Sequence, residues 1–353
     1  MTSNVLNKGT PLFTIICSLR NNYQCFFEEL LGHIVSQRYE NYQCIFITDQ
    51  KDVDWVKRPD ERFEIINLSQ EYSLAKKRNI GIENAKGEYI IFCDADDFLD
   101  ENILFFFSKI IKRFQPDFIL PKTTRKLDDL GKRNKCIVEE SSFFDNKDLI
   151  IKSFFSRYLI NGDNHVFILD GSWGRAFKRD IIINNNIRFL EKPCRAEDAL
   201  FVNDFVLKTN SVYFASDYYG YYWRINSNSE MFNVNSFFFN IVPFVEKLSI
   251  QMNSVSKEYS KDFAYYVATL ATSQIGDFCY ALSKKKINKK EFKELLDKTA
   301  PKQTLCYKTM KKLSLKKSIK KKVICILYSM RLYSIIYLLF RLSFKNPALR
   351  RLD

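Results

Sequence analysis

Glycine, proline and histidine are scarce in this chain: 10, 8 and 2 of 353 residues. With 46% hydrophobic and 15% aromatic residues, that scarcity excludes a collagen-like repeat and a disordered chain. No Cys-x-x-Cys pair occurs. The 9 cysteines (17, 25, 44, 93, 136, 194, 279, 306 and 325) sit mostly inside apolar runs such as Ile-Ile-Cys, which predicts reduced core thiols rather than disulfides or a zinc site. A Walker A loop, a Gly-x-Gly-x-x-Gly turn and a Gly-x-Ser-x-Gly elbow are all missing, so kinase, dehydrogenase and hydrolase readings lose their main support. No repeat of solenoid length stands out. Met1 to Thr10 lack the charged start and apolar run of a signal peptide, and no apolar run before residue 320 is long enough to span a bilayer. The reading is a cytoplasmic protein, attached to a membrane at most through its C-terminus.

The formal net charge is +14, but from Pro301 onward there are 14 basic residues and a single acid, Asp353. Residues 1 to 300 therefore hold 41 basic and 40 acidic side chains, a net of +1. A partner that attracts positive charge meets the tail. Without a recognisable nucleic-acid module and with a neutral body, nucleic acid is not expected as that partner.

From Leu12 the chain alternates β-rich runs with helical patterns. Strands are expected over 13–18, 44–48, 63–68, 88–93 and 117–120, with helices around 26–34, 74–84 and 102–114. Such alternation predicts an α/β fold, a mostly parallel sheet flanked by helices, whose ligands bind at the carboxyl ends of the strands. The middle third is less regular: a polar excursion over 128–142, helices over 147–159 and 196–207, and separate strands over 212–214 and 219–224. After about residue 230 the pattern turns helical, with candidates over 237–252, 261–282 and 290–298. The expected organisation is a catalytic domain over 1–230, with halves of about 12–121 and 122–230, then a helical region over 231–353.

The run Gly87-Glu-Tyr-Ile-Ile-Phe-Cys-Asp94-Ala95-Asp96-Asp97 places three carboxylates directly after an apolar strand. Acids so close repel one another and call for a cation; Mg²⁺ or Mn²⁺ takes one or two carboxylates and completes its shell with phosphate and water. The bland alternative is a solvated acidic turn capping the next helix, with Asp100 as N-cap.

Ahead of that run stands Ala-Lys-Lys-Arg78-Asn79-Ile-Gly81. The two together resemble the donor-binding half of a family 2 glycosyltransferase of the GT-A fold, and the opening Thr14-Ile-Ile-Cys-Ser-Leu-Arg20-Asn21 is similar to that family's first strand and loop. The resemblance covers roughly residues 12 to 230. It implies that Asp49 reads the nucleobase, that Ser18, Arg20 and Arg78 help hold the nucleotide, that Asp94 faces the ribose or diphosphate, and that Asp96 ligates the metal with Asp94. Arg78 as a solvated helix residue and Asp49 as a turn residue remain open. The first loop lacks the family's usual Pro and Tyr-Asn pair, and Gln50-Lys51-Asp52 replaces its acidic, glycine-containing turn. Neither His33 nor His165 fits a further metal ligand.

An inverting transfer needs one carboxylate across the sugar from the metal, to take the acceptor's proton. Arg195-Ala-Glu197-Asp198 at a helix start resembles the family's Glu-Asp motif, which makes Asp198 the general base and Glu197 its neighbour; an acid pair complementing the helix dipole is the alternative. Trp173 stands where the family lines its acceptor site and can stack on a sugar or fill the core. Arg224 can pair with the departing diphosphate or lie on the surface.

In the tail, 311–353, one continuous helix would gather Lys316, Lys320, Arg331, Arg341 and Lys345 into one basic arc, set against the apolar runs Val323 to Met330 and Leu332 to Phe340. Such a helix suits an anionic membrane interface, or packs on the body or on another copy of the chain. The expectation is an inverting, metal-dependent enzyme that moves a sugar from a nucleotide donor, UDP-linked, to a hydroxyl of a glycan or lipid-linked glycan in cell-surface polysaccharide or lipooligosaccharide synthesis, resting on the cytoplasmic face of the inner membrane. The rivals are a non-catalytic membrane-binding scaffold on a degenerate sugar-nucleotide fold, and a nucleotidyltransferase.

Overall fold

The run Phe-Thr-Ile-Ile-Cys-Ser forms β1 (Phe13–Ser18), buried along its whole length, as a strand covered on both faces must be. The computed structural model describes residues 9–19, 24–49, 56, 58–126, 141–155, 171–192 and 197–224, and parts of 243–344. After β1 come α1 (Gln24–Val35), β2 (Tyr42–Thr48), β3 (Phe63–Asn67), α2 (Leu74–Asn84), β4 (Tyr89–Asp94), β5 (Phe98–Leu99), α3 (Ile103–Phe114), β6 (Phe118–Lys126), β7 (Ser142–Phe144), α4 (Lys147–Phe155), β8 (Ala176–Lys178), α5 (Arg179–Asn184), α6 (Glu197–Lys208), β9 (Val212–Arg224) and α7 (Tyr333–Phe344).

The strands form one sheet in the order β3-β2-β1-β4-β8-β6-β9-β5, with β7 on β9. β3, β2, β1 and β4 run parallel, as do β6 and β9. The short β8 lies antiparallel between β4 and β6, and β5 and β7 pair antiparallel with β9. The sheet is thus the mostly parallel α/β arrangement that the alternation implies. The strands expected separately over 212–214 and 219–224 are one strand, whose pairing with β6 slips beside Pro121 and Lys122. Proline brings no N–H to a ladder, so the slip falls where pairing is already interrupted.

α1 and α3 cover one face, with Phe27, Leu30, Ile34, Leu104 and Phe107 buried against Phe13, Ile15, Phe46 and Ile91. Asp100 is not the N-cap of α3. Asn102 holds that place without a side-chain bond, while Asp100 Oδ1 accepts the Asn102 N–H at 3.0 Å. Cys17, Cys44, Cys93 and Cys279 are buried, whereas Cys25 is exposed on α1. The polar excursion over 128–140 lies outside the described residues.

By its internal packing the chain divides into two compact units: residues 1–147, 166–191 and 208–226, and residues 148–165, 192–207 and 227–353. Most of α4 and α6 thus group with the C-terminal helices rather than with the sheet. In the second unit, Gln251 Nε2 donates to Leu200 O at 2.7 Å and to Asp204 Oδ1 at 2.9 Å. A separate core there contains Ile275, Cys279, Phe292, Leu296, Ile324, Tyr328, Tyr333 and Ile336. The tail is not one continuous helix. Arg331 adopts φ 55°, Leu332 N donates to Leu327 O (2.9 Å) and Arg331 N to Tyr328 O (3.0 Å), a Schellman closure that ends one helix before α7 begins. Arg331 and Arg341 are therefore not on one unbroken helix; Lys316, Lys320 and Lys345 lie outside the described residues.

Candidate active site

β1 and β4 end side by side, with Ser18 in register with Asp94. β4 stops at Asp94 and β5 starts at Phe98, so the three acids occupy a tight turn, closed by Asp97 N donating to Asp94 O at 3.1 Å. The acids have different surroundings. Asp97 turns inward and is 3% exposed; its carboxylate accepts the Tyr221 hydroxyl at 2.6 Å and the Arg224 N–H at 2.8 Å. Burial, then the neighbouring Asp94 and Asp96 charges, pushes its pKa up to about 8. Tyr221 also accepts the Asp94 N–H at 3.2 Å, so a single hydroxyl ties both ends of the turn. Asp94 and Asp96 stay at the rim, partly exposed.

α2 packs on the same strand ends. Gly81 lets it approach: a Cβ there would lie 2.4 Å from Ile16 Cγ2. Ser73 caps the helix by accepting the Lys76 N–H at 3.2 Å. Its buried side chains include Lys77, Arg78 and Asn79, each 3% exposed or less. Arg78 Nη2 donates to Asp94 Oδ1 at 2.7 Å, and its guanidinium lies 5.1 Å from the Phe189 ring centroid. Asn79 holds the same segment twice, accepting the Phe189 N–H and donating to the Phe189 carbonyl, both at 2.9 Å. Arg78 is thus a buried ion-pair partner rather than a solvated helix residue.

Lys77 belongs to the site as well, although no motif singles it out. Its Nζ donates to Leu19 O at 2.8 Å and pairs with Asp49 Oδ1 at 2.8 Å. Asp49 Oδ2 accepts the Tyr72 N–H at 2.8 Å. The signal was present: Lys77 stands one helical turn before Gly81, on the face that a glycine marks as touching the sheet. Asp49, directly after β2, is therefore held in a buried ion pair, its side chain 7% exposed.

Arg224, at the end of β9, does not project freely. Its Nε donates to Asp96 O at 2.8 Å and its Nη2 to Glu29 Oε2 at 2.5 Å, and the guanidinium lies 4.8 Å from the Phe26 ring centroid. Trp173 is half-buried and stacks on Tyr221 with centroids 4.8 Å apart; the following Gly174, at φ +67°, leaves room for the Tyr221 ring. The structure thus gathers Ser18, Asp49, Arg78, Asp94, Asp96, Trp173 and Arg224 in the first unit. Glu197 and Asp198 open α6 in the second unit, both half-buried. Arg20 lies outside the described residues.

The donor set fits a hard divalent ion. Asp94 and Asp96 offer oxygen ligands, and among the described residues no group of three or more His, Cys, Asp or Glu forms a complete cage. An ion there draws its remaining ligands from substrate and water, as Mg²⁺ and Mn²⁺ do. Ser18 Oγ, buried beside Asp94, has no hydrogen-bond partner among the described residues, a polar atom left over for a ligand.

Residues 14–182 match the model of the Glycosyl transferase family 2. Cholesterol galactosyltransferase of Borreliella burgdorferi is 22% identical over 277 residues, 74% of this chain and 76% of that protein. Further curated bacterial glycosyltransferases are matched over 30% to 52% of their own length. Among solved structures, Staphylococcus aureus TarS 1–349 in complex with UDP-GlcNAc superposes with a TM-score of 0.72 at 16% identity, covering 94% of this chain and 91% of that one. The mannosyltransferase PcManGT of Pyrobaculum calidifontis, in complex with GDP-Man and Mn²⁺, gives 0.51 at 14% identity, covering 96% and 89%. The matched stretch includes the strands and helix that build the acidic turn, and the chain is accordingly a glycosyltransferase whose residues 14–182 form a family 2 domain on the GT-A fold.

Proposed function

We propose that the enzyme is an inverting, metal-dependent transferase that moves a sugar from a UDP-sugar to a hydroxyl of a glycan or lipid-linked glycan during synthesis of a cell-surface polysaccharide or lipooligosaccharide. The observation that carries this reading is the acidic turn: Asp94 and Asp96 stay at the rim while Asp97 is held inward by Tyr221 and Arg224. Support for the donor comes from the UDP-GlcNAc bound to TarS, for the metal from the Mn²⁺ with GDP-Man in PcManGT, and for a lipid-borne hydroxyl from the cholesterol galactosyltransferase.

In this reading Asp94 and Asp96 would hold Mn²⁺ or Mg²⁺, which would supply positive charge against the departing diphosphate. Ser18 and Arg20 contact the nucleotide, and Asp49 with Lys77 shapes its base end. Arg78 fixes Asp94, and Arg224 fixes the Asp96 backbone instead of reaching the phosphates itself. The acceptor hydroxyl attacks the anomeric carbon as the bond to the diphosphate oxygen breaks, and its proton passes to Asp198, with Glu197 beside it and Trp173 lining the acceptor side. The enzyme works on the cytoplasmic face of the inner membrane, as a peripheral protein.

Incubation with candidate UDP-sugars and Mn²⁺ tests the reading. UDP release is the expected result, and its absence with every donor and metal would remove the catalytic assignment. Asp198→Asn should fold, bind donor and lose transfer by about 10²-fold or more; near-normal turnover would rule out Asp198 as the base.

A further inference from the structure

Most of the large hydrophobic side chains left exposed among the described residues belong to one stretch. Val323, Ile326 and Met330 precede the Arg331 turn, and Ile335, Leu338 and Leu339 follow it on α7, each at least 40% exposed. The opposite stripe of the same helices is fixed. Ile324, Tyr328, Tyr333 and Ile336 are buried in the core of the second unit. The Tyr328 hydroxyl donates to Leu296 O at 2.8 Å and the Tyr333 hydroxyl to Asp297 at 2.7 Å. These helices spend one apolar face on the fold and hold a second one outward.

The charge around that outer face selects its occupant. Arg331 and Arg341 are exposed within it, and residues from Pro301 onward carry 14 basic side chains against one acid. A second copy would oppose Arg331 and Arg341 with the same two arginines and the same basic sequence excess, and residues 1–300, at net +1, offer no compensating acidic surplus. Anionic lipid supplies both an acyl phase for the leucines and negative head groups for the arginines. α7 has 12 residues, about 18 Å of helix against a hydrocarbon thickness of about 30 Å. It therefore lies in the interface rather than crossing it, and no helix among the described residues is long and apolar enough to span a bilayer. We infer that the paired helices around the Arg331 turn form an in-plane docking surface for anionic membranes, with Ile335, Leu338 and Leu339 entering the acyl region. This rests on the reading of a membrane-resting enzyme and gives that contact its surface; the transfer chemistry is independent of it.

The test is sedimentation of the full chain with phosphatidylcholine vesicles, with and without about one third phosphatidylglycerol. Binding is expected to be at least about tenfold stronger with the anionic lipid, to fall at least about tenfold in Leu338→Glu/Leu339→Glu, and to lose most of its salt dependence in Arg331→Glu/Arg341→Glu. Leu338→Gln/Leu339→Gln adds no charge and should weaken binding to neutral and anionic vesicles alike. Thermal unfolding and donor binding should match the parent in all three variants. Equal binding to both vesicle types, or undiminished binding by the leucine variants, overturns the proposal. So does a lipid-free dimer, seen by light scattering, that the leucine variants dissolve while vesicle binding is absent. UDP release measured in parallel separates the two readings, since loss of one result leaves the other standing.

Discussion

Asp97 and Lys77 are both buried ionisable groups beside the strand ends, yet their surroundings treat them oppositely. Lys77 is paired with Asp49 and the Leu19 carbonyl, whereas Asp97 faces hydrogen-bond donors with like charges behind it. The hydroxyl of Tyr221 lies between the Asp94 amide and the Asp97 carboxylate. Tyr221→Phe leaves the buried Asp97 carboxyl group short of one hydrogen-bond partner, so a loss of about 1–3 kcal/mol is expected in urea unfolding, together with weaker Mn²⁺ binding in titration calorimetry. Unchanged stability and unchanged metal affinity would show that the turn does not depend on this hydroxyl. Gly174 makes a second residue-scale case. At φ +67°, with a virtual Cβ 2.5 Å from the Tyr221 ring, Gly174→Ala should cost at least about 1–3 kcal/mol and disturb the same hydroxyl. A midpoint within error of the parent would show that the ring has room to move.

Among the elements, α2 buries three polar side chains, Lys77, Arg78 and Asn79, alongside Ala75 and Ile82. Its Asn79 behaves like one residue of a paired strand, giving and taking one bond with the Phe189 backbone. Asn79→Ala should therefore speed amide exchange at Phe189 while leaving β1 protected, as hydrogen exchange read by mass spectrometry would reveal; equal protection at Phe189 would mean the segment is held by other contacts. The parallel strands and α2 were legible in the sequence because long apolar runs and a helical period are local signals. The acidic turn was legible as well, since acids follow the buried strand directly. β8 was not: three residues, Ala-Phe-Lys, carry no period, and only the strands on either side make them a strand. Nor were the bonds of Arg224 to Glu29 and Asp96. A guanidinium at a strand end reads equally as a phosphate ligand or a brace, and the choice is made by residues far away in the chain. The tail was partly legible: its apolar and basic residues were evident, but the left-handed Arg331 that divides it gives no sequence cue, arginine being an uncommon residue at such a position.

For the whole molecule, the two compact units differ in what they contain. The first holds the sheet and the acidic turn; the second holds α6 and the C-terminal helices. Within the first, Lys147 donates to the Thr209 carbonyl, and burial brings its ammonium down from 10.5 to about 8. The unfolded chain keeps that proton up to its ordinary value, so between these limits it binds more protons than the folded chain, and stability rises with pH there. Urea midpoints should climb between pH 8 and 9.5 in the parent and climb less in Lys147→Met. Parallel pH profiles in the two proteins would remove Lys147 as the source.

The bond between Glu29 and Arg224 spans 195 residues, which bears on the order in which the protein is made. Asp94, Asp96 and Asp97 leave the ribosome well before Tyr221 and Arg224, so during most of synthesis the acidic turn has its strand but neither of its fasteners. A nascent chain stalled before residue 221 should already protect β1 and β4 while its turn stays open to exchange. The fastened geometry of the acidic turn is then the last feature the first unit acquires, and a fragment ending near residue 121 would carry the motif without it.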